Sequence, residues 1–111
     1  MPKYENCPKI VCLCGSTRFR RAYKEAFRQE EHAGNICLTV PCFKDDPCCK
    51  TEEERTELDR LHLHKIHLAD EILVINPLGY IGESTRREIA HAEGLGKPVR
   101  YLVTMGEDVL A

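Results

Sequence analysis

Glu88 is the residue whose type and position point most directly to chemistry. It lies in the run Glu83-Ser-Thr-Arg-Arg-Glu88-Ile-Ala90. A helix opening at Ser84 carries Thr85, Glu88, Ile89, Ala92 and then Leu95 or Gly96 on its inward stripe. That stripe puts a carboxylate on the apolar side, close to the helix N-terminus. The helix end favours the ionised form, and partial burial keeps water from quenching its nucleophilicity. A first-turn glutamate that merely satisfies its own helix N–H groups is the alternative, but such a residue normally faces solvent. The run Gly15-Ser16-Thr17-Arg18 offers backbone N–H groups, a hydroxyl and a guanidinium, which together can cradle a phosphate. It matches neither the P-loop nor the G-x-G-x-x-G pattern, and Ser16 fits an ordinary helix cap equally well.

His62, His64 and His67 fall on one expected helix. On its wheel Leu58, Leu61, Ile66, Leu68 and Ala69 share a face, and His62 falls within it. His64 and His67 fall outside, so the three cannot converge on one metal ion. His62 is then either a functional imidazole or a core histidine with its nitrogens satisfied, and Asp59 stands one turn away at the stripe's edge. Asn76 closes a strand where a side chain reaches a crevice. Gly79 and Gly82 allow close backbone approach to a ligand or simply make turns. Tyr80 can stack on a planar base or stand idle on its loop. The seven cysteines are an odd number, which does not close a disulfide framework. Cys12, Cys14 and Cys37 lie in apolar runs, while Cys42, Cys48 and Cys49 lie in or beside a polar loop. There is no C-x-x-C pair, and Cys12-x-Cys14 lacks a second pair at zinc-site spacing. No metal is expected, and the thiols are expected to be reduced.

The elements that must position these residues alternate in kind. Lys9–Cys14 is a β-branched, apolar run ending at Gly15. Phe19, Ala22, Tyr23, Ala26 and Phe27 recur with helical spacing until Gly34 and Asn35 interrupt them. Ile36–Val40 reads as a second strand, and Lys44–Lys50 as a polar loop that is either a lid or a long connection. Thr51-x-x-Glu54 is a capping box opening a long helix to about Ala69. Glu71–Asn76 is a third strand, Pro77–Glu83 a loop, Ser84 the cap of a helix ending at Gly94–Gly96, and Val99–Val103 a fourth strand. Such β-α alternation predicts a layered α/β domain over residues 1–111, with right-handed crossovers and helices on both faces of the sheet. Its mostly parallel sheet has four to five strands between helices. Ligands of such sheets sit beyond the carboxyl ends of the strands.

Composition limits the function. A chain of 111 residues forms one domain. Sixteen basic against 18 acidic residues leave a net charge of −2, so no basic field favours long nucleic acid. With 42% hydrophobic and 31% charged residues, and no apolar run of membrane-spanning length, no membrane partner is expected. The chain opens without a basic-then-apolar leader, and a cytoplasmic location is the corresponding expectation.

Cys14-Gly15-Ser16-Thr17-Arg18, Ala69-Asp70, and Glu83-Ser-Thr-Arg-Arg-Glu88-Ile-Ala ahead of Gly96-Lys97-Pro98-Val99 together resemble the nucleoside 2-deoxyribosyltransferase superfamily. The resemblance runs from Lys9 to Val103, and the 2'-deoxynucleoside 5'-phosphate N-hydrolase branch is the nearest in kind. It implies a three-layer, flavodoxin-like (Rossmann-like) fold and a cofactor-free, dimeric or higher oligomer that breaks or transfers N-glycosidic bonds of a small nucleoside or nucleoside 5'-monophosphate. It implies Glu88 as the nucleophile forming a glycosyl-enzyme, and Ser16 and Arg18 as holders of the 5'-phosphate. His62 stands where the family has an aspartate facing the base, and imidazole can serve there as a general acid. Cys12 stands where the family has a tyrosine steadying the nucleophile, and Glu83 only neighbours the place of a family aspartate. These departures motivate the alternative of a nucleotide-binding or sensing module without catalysis. A third reading, a cytokinin-activating type of phosphoribohydrolase, is matched only in part by Gly82-Glu-Ser-Thr85-x-x-Glu88. The candidate site is therefore Glu88 and His62 for catalysis, with Gly15, Ser16, Arg18, Asn76, Gly82 and Ser84 for substrate.

Overall fold

The computed structural model describes residues 6–47 and 51–103. In order the elements are β1 (Ile10–Gly15), α1 (Arg20–His32), β2 (Ile36–Leu38), α2 (Glu52–Leu68), β3 (Glu71–Ile75), a 3-10 turn (Pro77–Gly79), α3 (Glu83–Gly94) and β4 (Val99–Tyr101). Among the described residues the sheet has four strands in the order β2-β1-β3-β4, and every pairing between them is parallel. This is the flavodoxin-like order of the expected α/β class. The central strands are apolar on both faces, as a sheet covered on both sides requires.

Two packed layers enclose the sheet. Val11, Leu13, Leu73 and Ile75 meet Tyr23 and Ala26 of α1 on one side. Cys12, Cys14, Ile72 and Val74 meet Ile66, Ala69 and Ala92 from the α2–α3 side. Fully buried Ile66 alone contributes roughly 1.5–3 kcal/mol of apolar burial. The capping box of α2 forms as its sequence predicts: Glu54 N–H donates to Thr51 Oγ1 at 3.1 Å, and Thr51 N–H donates to Glu54 Oε1 at 3.2 Å. Gly34 follows α1 at φ +91°, a conformation that stops a helix at little cost for glycine.

Several details differ from the sequence reading. Leu61 and Leu68 are 50% and 65% exposed. The buried stripe of α2 is narrower than a five-residue face and consists of His62 and Ile66, continued by Ala69 beyond its end. Leu95 also faces outward, at 39% exposure. Gly82, not Ser84, caps α3, so Ser84 lies within its first turn. β2 and β4 are three residues each, shorter than their apolar runs. Among the described residues no helix is long and apolar enough to cross a membrane.

A charge cluster clasps the sheet at the end opposite its carboxyl edge. Arg100 binds Glu71 and also meets Glu30 Oε1 at 2.8 Å, while Lys9 reaches Glu71 at 3.2 Å. The hydrogen bond from Arg100 holds the Glu30 carboxyl below its ordinary value of 4.5. A depressed carboxyl stabilises the fold above the unfolded-state value and loses that contribution as pH falls through the folded one. Thermal melts taken downward from neutral pH should therefore drop less steeply below 4.5 for Arg100→Met than for wild type. Parallel slopes in the two proteins would remove the clasp from the acid response.

Candidate active site

β1 and β3 are adjacent, and the chain leaves them in opposite directions, toward β2 and toward β4. Their carboxyl ends form the topological switch point at which open α/β sheets hold ligands. A cleft of about 510 Å³ opens there. Its floor is Gly15 and Ser16, one wall is α2 through Leu58, Asp59 and His62, and the other is the start of α3 with Thr85 and Glu88. Gly15 is required by close approach: a Cβ at that position would lie 2.6 Å from the Ile75 carbonyl oxygen. The buried Tyr23 hydroxyl donates to the Gly15 carbonyl at 2.8 Å from beneath. Strand, glycine and phenol thus hold the turn that follows.

The catalytic candidates come together although 26 positions separate them (88 − 62). His62 Nε2 lies 3.9 Å from Glu88 Oε1. Burial pushes the Glu88 carboxyl up, against the opposing pull of His62. Burial alone would lower His62, but its contact with Cys12 and the charges of Cys12 and Glu88 outweigh that and leave the imidazole raised. Beneath them Cys14 Sγ lies 3.4 Å and Cys12 Sγ 3.8 Å from His62 Nε2. The hydrogen bond between the two thiols brings Cys12 down to about 6, aided by His62 and opposed by burial. The same bond, with burial, pushes Cys14 up. His62 Nδ1 is buried and has no hydrogen-bond partner among the described residues.

Of the substrate candidates, Gly15, Ser16, Gly82 and Ser84 line the cleft. Ser16 does not cap α1, whose N-cap is Phe19 without a side-chain bond. Its hydroxyl instead accepts from the Arg18 backbone N–H at 3.4 Å and from Arg18 Nε at 3.2 Å. Arg18 is not among the residues lining the cleft, but its guanidinium lies 4.9 Å above the ring of Tyr80, which does line it. Asn76 is corrected: it is fully buried and does not line the cleft. Its carboxamide donates to the Val103 carbonyl at 2.9 Å and accepts from Val103 N–H at 2.8 Å. The chain past β4 needs partners for those backbone groups, and Asn76 supplies them.

Lys44 and Arg55 also line the cleft, and neither stood out in the sequence. Their positive charge was the only signal, and the chain has 16 such residues. The Lys44 backbone N–H donates to Thr17 O at 3.1 Å, which ties its loop to the turn after β1. Cys42, another lining residue, is disulfide-bonded, so the expectation of reduced thiols fails at this position. The part of that loop reaching residues 48–50, including the Cys48 and Cys49 readings, lies outside the described residues.

No protein-family model matches the sequence, and neither does any curated protein. Solved structures do match. A 2-deoxyribosyltransferase from Leishmania mexicana superposes with a TM-score of 0.64 at 16% identity, over 85% of this chain and 63% of that one. A 2-deoxyribosyltransferase from the psychrotolerant bacterium Bacillus psychrosaccharolyticus superposes with a TM-score of 0.61 at 20% identity, over 88% of this chain and 74% of that one. The chain thus spans a little under two thirds of the length of the first. Strand order, helix placement and these superpositions agree, and the chain has the fold of the 2-deoxyribosyltransferases.

Proposed function

We propose that the chain cleaves the N-glycosidic bond of a small nucleoside or nucleoside 5'-monophosphate, passing the (deoxy)ribosyl group through Glu88 to water or a second base. The observation that carries this reading is the Glu88 carboxylate in the switch-point cleft, largely withdrawn from water and 3.9 Å from the His62 imidazole. An ionised carboxylate so placed is a nucleophile for an anomeric carbon. Attack forms a C1'–O bond to Glu88 and breaks the C1'–N bond. The departing base takes a proton from His62, whose raised affinity for protons suits a general acid near neutrality. Water or an incoming base then attacks C1', breaks the ester and returns a proton to His62. Two displacements retain configuration.

Ser16 and Arg18 would hold the sugar's 5' end, with Lys44 adding charge if a phosphate is present. Gly82 and Ser84 would lie along the nucleoside. Within this reading the protein needs no cofactor and works as a homodimer or higher oligomer in the cytoplasm.

The test is a mixture of deoxy- and ribonucleosides with their 5'-monophosphates, followed for free base by chromatography. Release of base names the sugar and the base; release from none of them overturns the reading. His62→Ala should slow release about 10²–10⁴-fold, the usual range for loss of a general acid. The loss should be smallest with bases that depart readily without a proton. A uniform loss across leaving groups would make His62 a structural residue instead.

A further inference from the structure

The described residues contain one cluster of metal-ligating atoms that the proposed chemistry does not use in full. Cys12 and Cys14 lie two apart on β1 and project to the same face of the sheet, both fully buried. His62 reaches down to them from α2. The two sulfurs and a ring nitrogen lie within 4.8 Å of one another. The thiols also reach backbone carbonyls, Cys12 Sγ that of Leu13 and Cys14 Sγ that of Cys12, but only at 4.0 Å each. A neutral imidazole nitrogen has one lone pair and can accept one S–H bond, yet sulfurs approach Nε2 at both 3.4 Å and 3.8 Å. A cation between the three atoms would use all of them.

The spacing suits a tetrahedral ion. Zn–S bonds of about 2.3 Å and Zn–N bonds of about 2.0 Å at tetrahedral angles place nitrogen and sulfur about 3.5 Å apart. Two thiolates and an imidazole select a thiophilic ion such as Zn²⁺ over Mg²⁺ or Ca²⁺. His62 and Glu88 both line the cleft, and Glu88 Oε1 lies 3.9 Å from the same Nε2, although it stands outside the group of atoms within 4.8 Å of one another and must close in to reach an ion. We propose that Cys12, Cys14 and His62 form a binding site for Zn²⁺ or a cation of its class, with Glu88 closing the fourth position. On binding, the thiol protons leave to solvent and two thiolates neutralise the ion's charge. Glu88 and His62 then give their lone pairs to the metal. Metal loading and glycosyl transfer therefore exclude one another. This last step rests on the proposed function, whereas the binding site does not.

Titration of the reduced, metal-free protein with Co²⁺ tests the site without substrate. One equivalent should give intense visible d–d bands of tetrahedral cobalt and thiolate-to-cobalt charge transfer, both erased by one equivalent of Zn²⁺. Cys12→Ser and Cys14→Ser should each lose charge-transfer intensity, and Cys37→Ser should keep it. X-ray absorption at the zinc edge of the wild-type protein covers the case in which a serine variant does not fold, and should show two sulfur neighbours. Absence of charge transfer, intensity unchanged in both serine variants, or a zinc shell without sulfur would overturn the site. Glu88→Gln should shift the d–d bands; an unshifted spectrum removes Glu88 from the fourth position. Where wild type releases base, release should fall with zinc loading and return with a chelator. Undiminished release from the loaded protein overturns the mutual exclusion and leaves the proposed activity intact. Cobalt binding in a protein that releases no base overturns the activity and leaves the site intact.

Discussion

Glu88→Gln should release free base on the order of 10⁴-fold more slowly than wild type, the scale on which enzymes lose turnover with their nucleophile. Such a loss corresponds to about 5.5 kcal/mol of transition-state stabilisation. The amide keeps the shape of the side chain and removes the attacking oxygen's charge, so binding should survive while turnover does not. Stability should move the other way. Burial raises the Glu88 carboxyl, and an acid whose folded value is raised costs stability at any pH where it is ionised. Glutamine carries no such cost, so the variant should melt at or above the wild-type temperature at neutral pH. Lost turnover in a protein at least as stable is the mark of a group placed for chemistry. Wild-type turnover by Glu88→Gln would end Glu88's candidacy, and lost turnover with a lowered melting point would make the residue structural.

Tyr23→Ala should destabilise the fold by roughly 3–5 kcal/mol, as truncations of buried aromatics do. The side chain is 1% exposed, packs against the β1 and β3 face and meets Phe43 edge-on at a centroid distance of 5.4 Å. Against a total stability of about 5–15 kcal/mol for a domain, that loss brings the protein near unfolding at physiological temperature. Tyr23→Phe separates the ring from its hydroxyl. Removing the part-buried bond to the Gly15 carbonyl should cost about 0.5–1.5 kcal/mol, the net worth of a typical hydrogen bond. Denaturant titrations of both variants give the two numbers. An alanine variant within about 1 kcal/mol of wild type would show that α1 does not depend on this ring.

The strand and helix order was legible because each kind of element leaves its own period in the chain. Ile10–Gly15 and Glu71–Ile75 are continuous apolar runs, and the α2 capping box marks its own start. Ends were harder to place. Val40 and Val103 are apolar enough to extend β2 and β4, but the pairing stops at Leu38 opposite Cys12 and at Tyr101 opposite Val74, short of the ends of β1 and β3. In the site, helix periodicity marked His62 and Glu88 each as inward-facing, but that they meet was implied only by the family resemblance, since helix faces do not say which two helices lie side by side. Asn76 was misplaced because a residue ending a strand can turn toward the crevice or toward its own sheet. Which it does depends on Val103, a contact across 27 positions that local spacing does not encode. The gathering of Cys12 and Cys14 under His62 was hidden for a related reason. Zinc spacings read along the chain assume ligands close in sequence, whereas here a strand and a distant helix supply them.

The all-parallel pairing has a consequence for how the molecule comes into being. Parallel neighbours cannot be joined by a tight hairpin. The nearest-in-sequence strand pairing of β1 is Ile10 with Ile36, and its long ladder to β3 begins with Val11 opposite Glu71. Loop closure over such separations must precede any reward from pairing, which slows folding relative to chains dominated by local contacts. The floor of the cleft is where those two strands end, at Gly15 beside Ile75. A nascent chain that has made only its first half carries the Ser16 turn without β3 or the Glu88 helix beside it. The pocket is the product of the most distant strand encounter in the sheet, and competence to bind arrives with completion of the fold rather than growing along the chain.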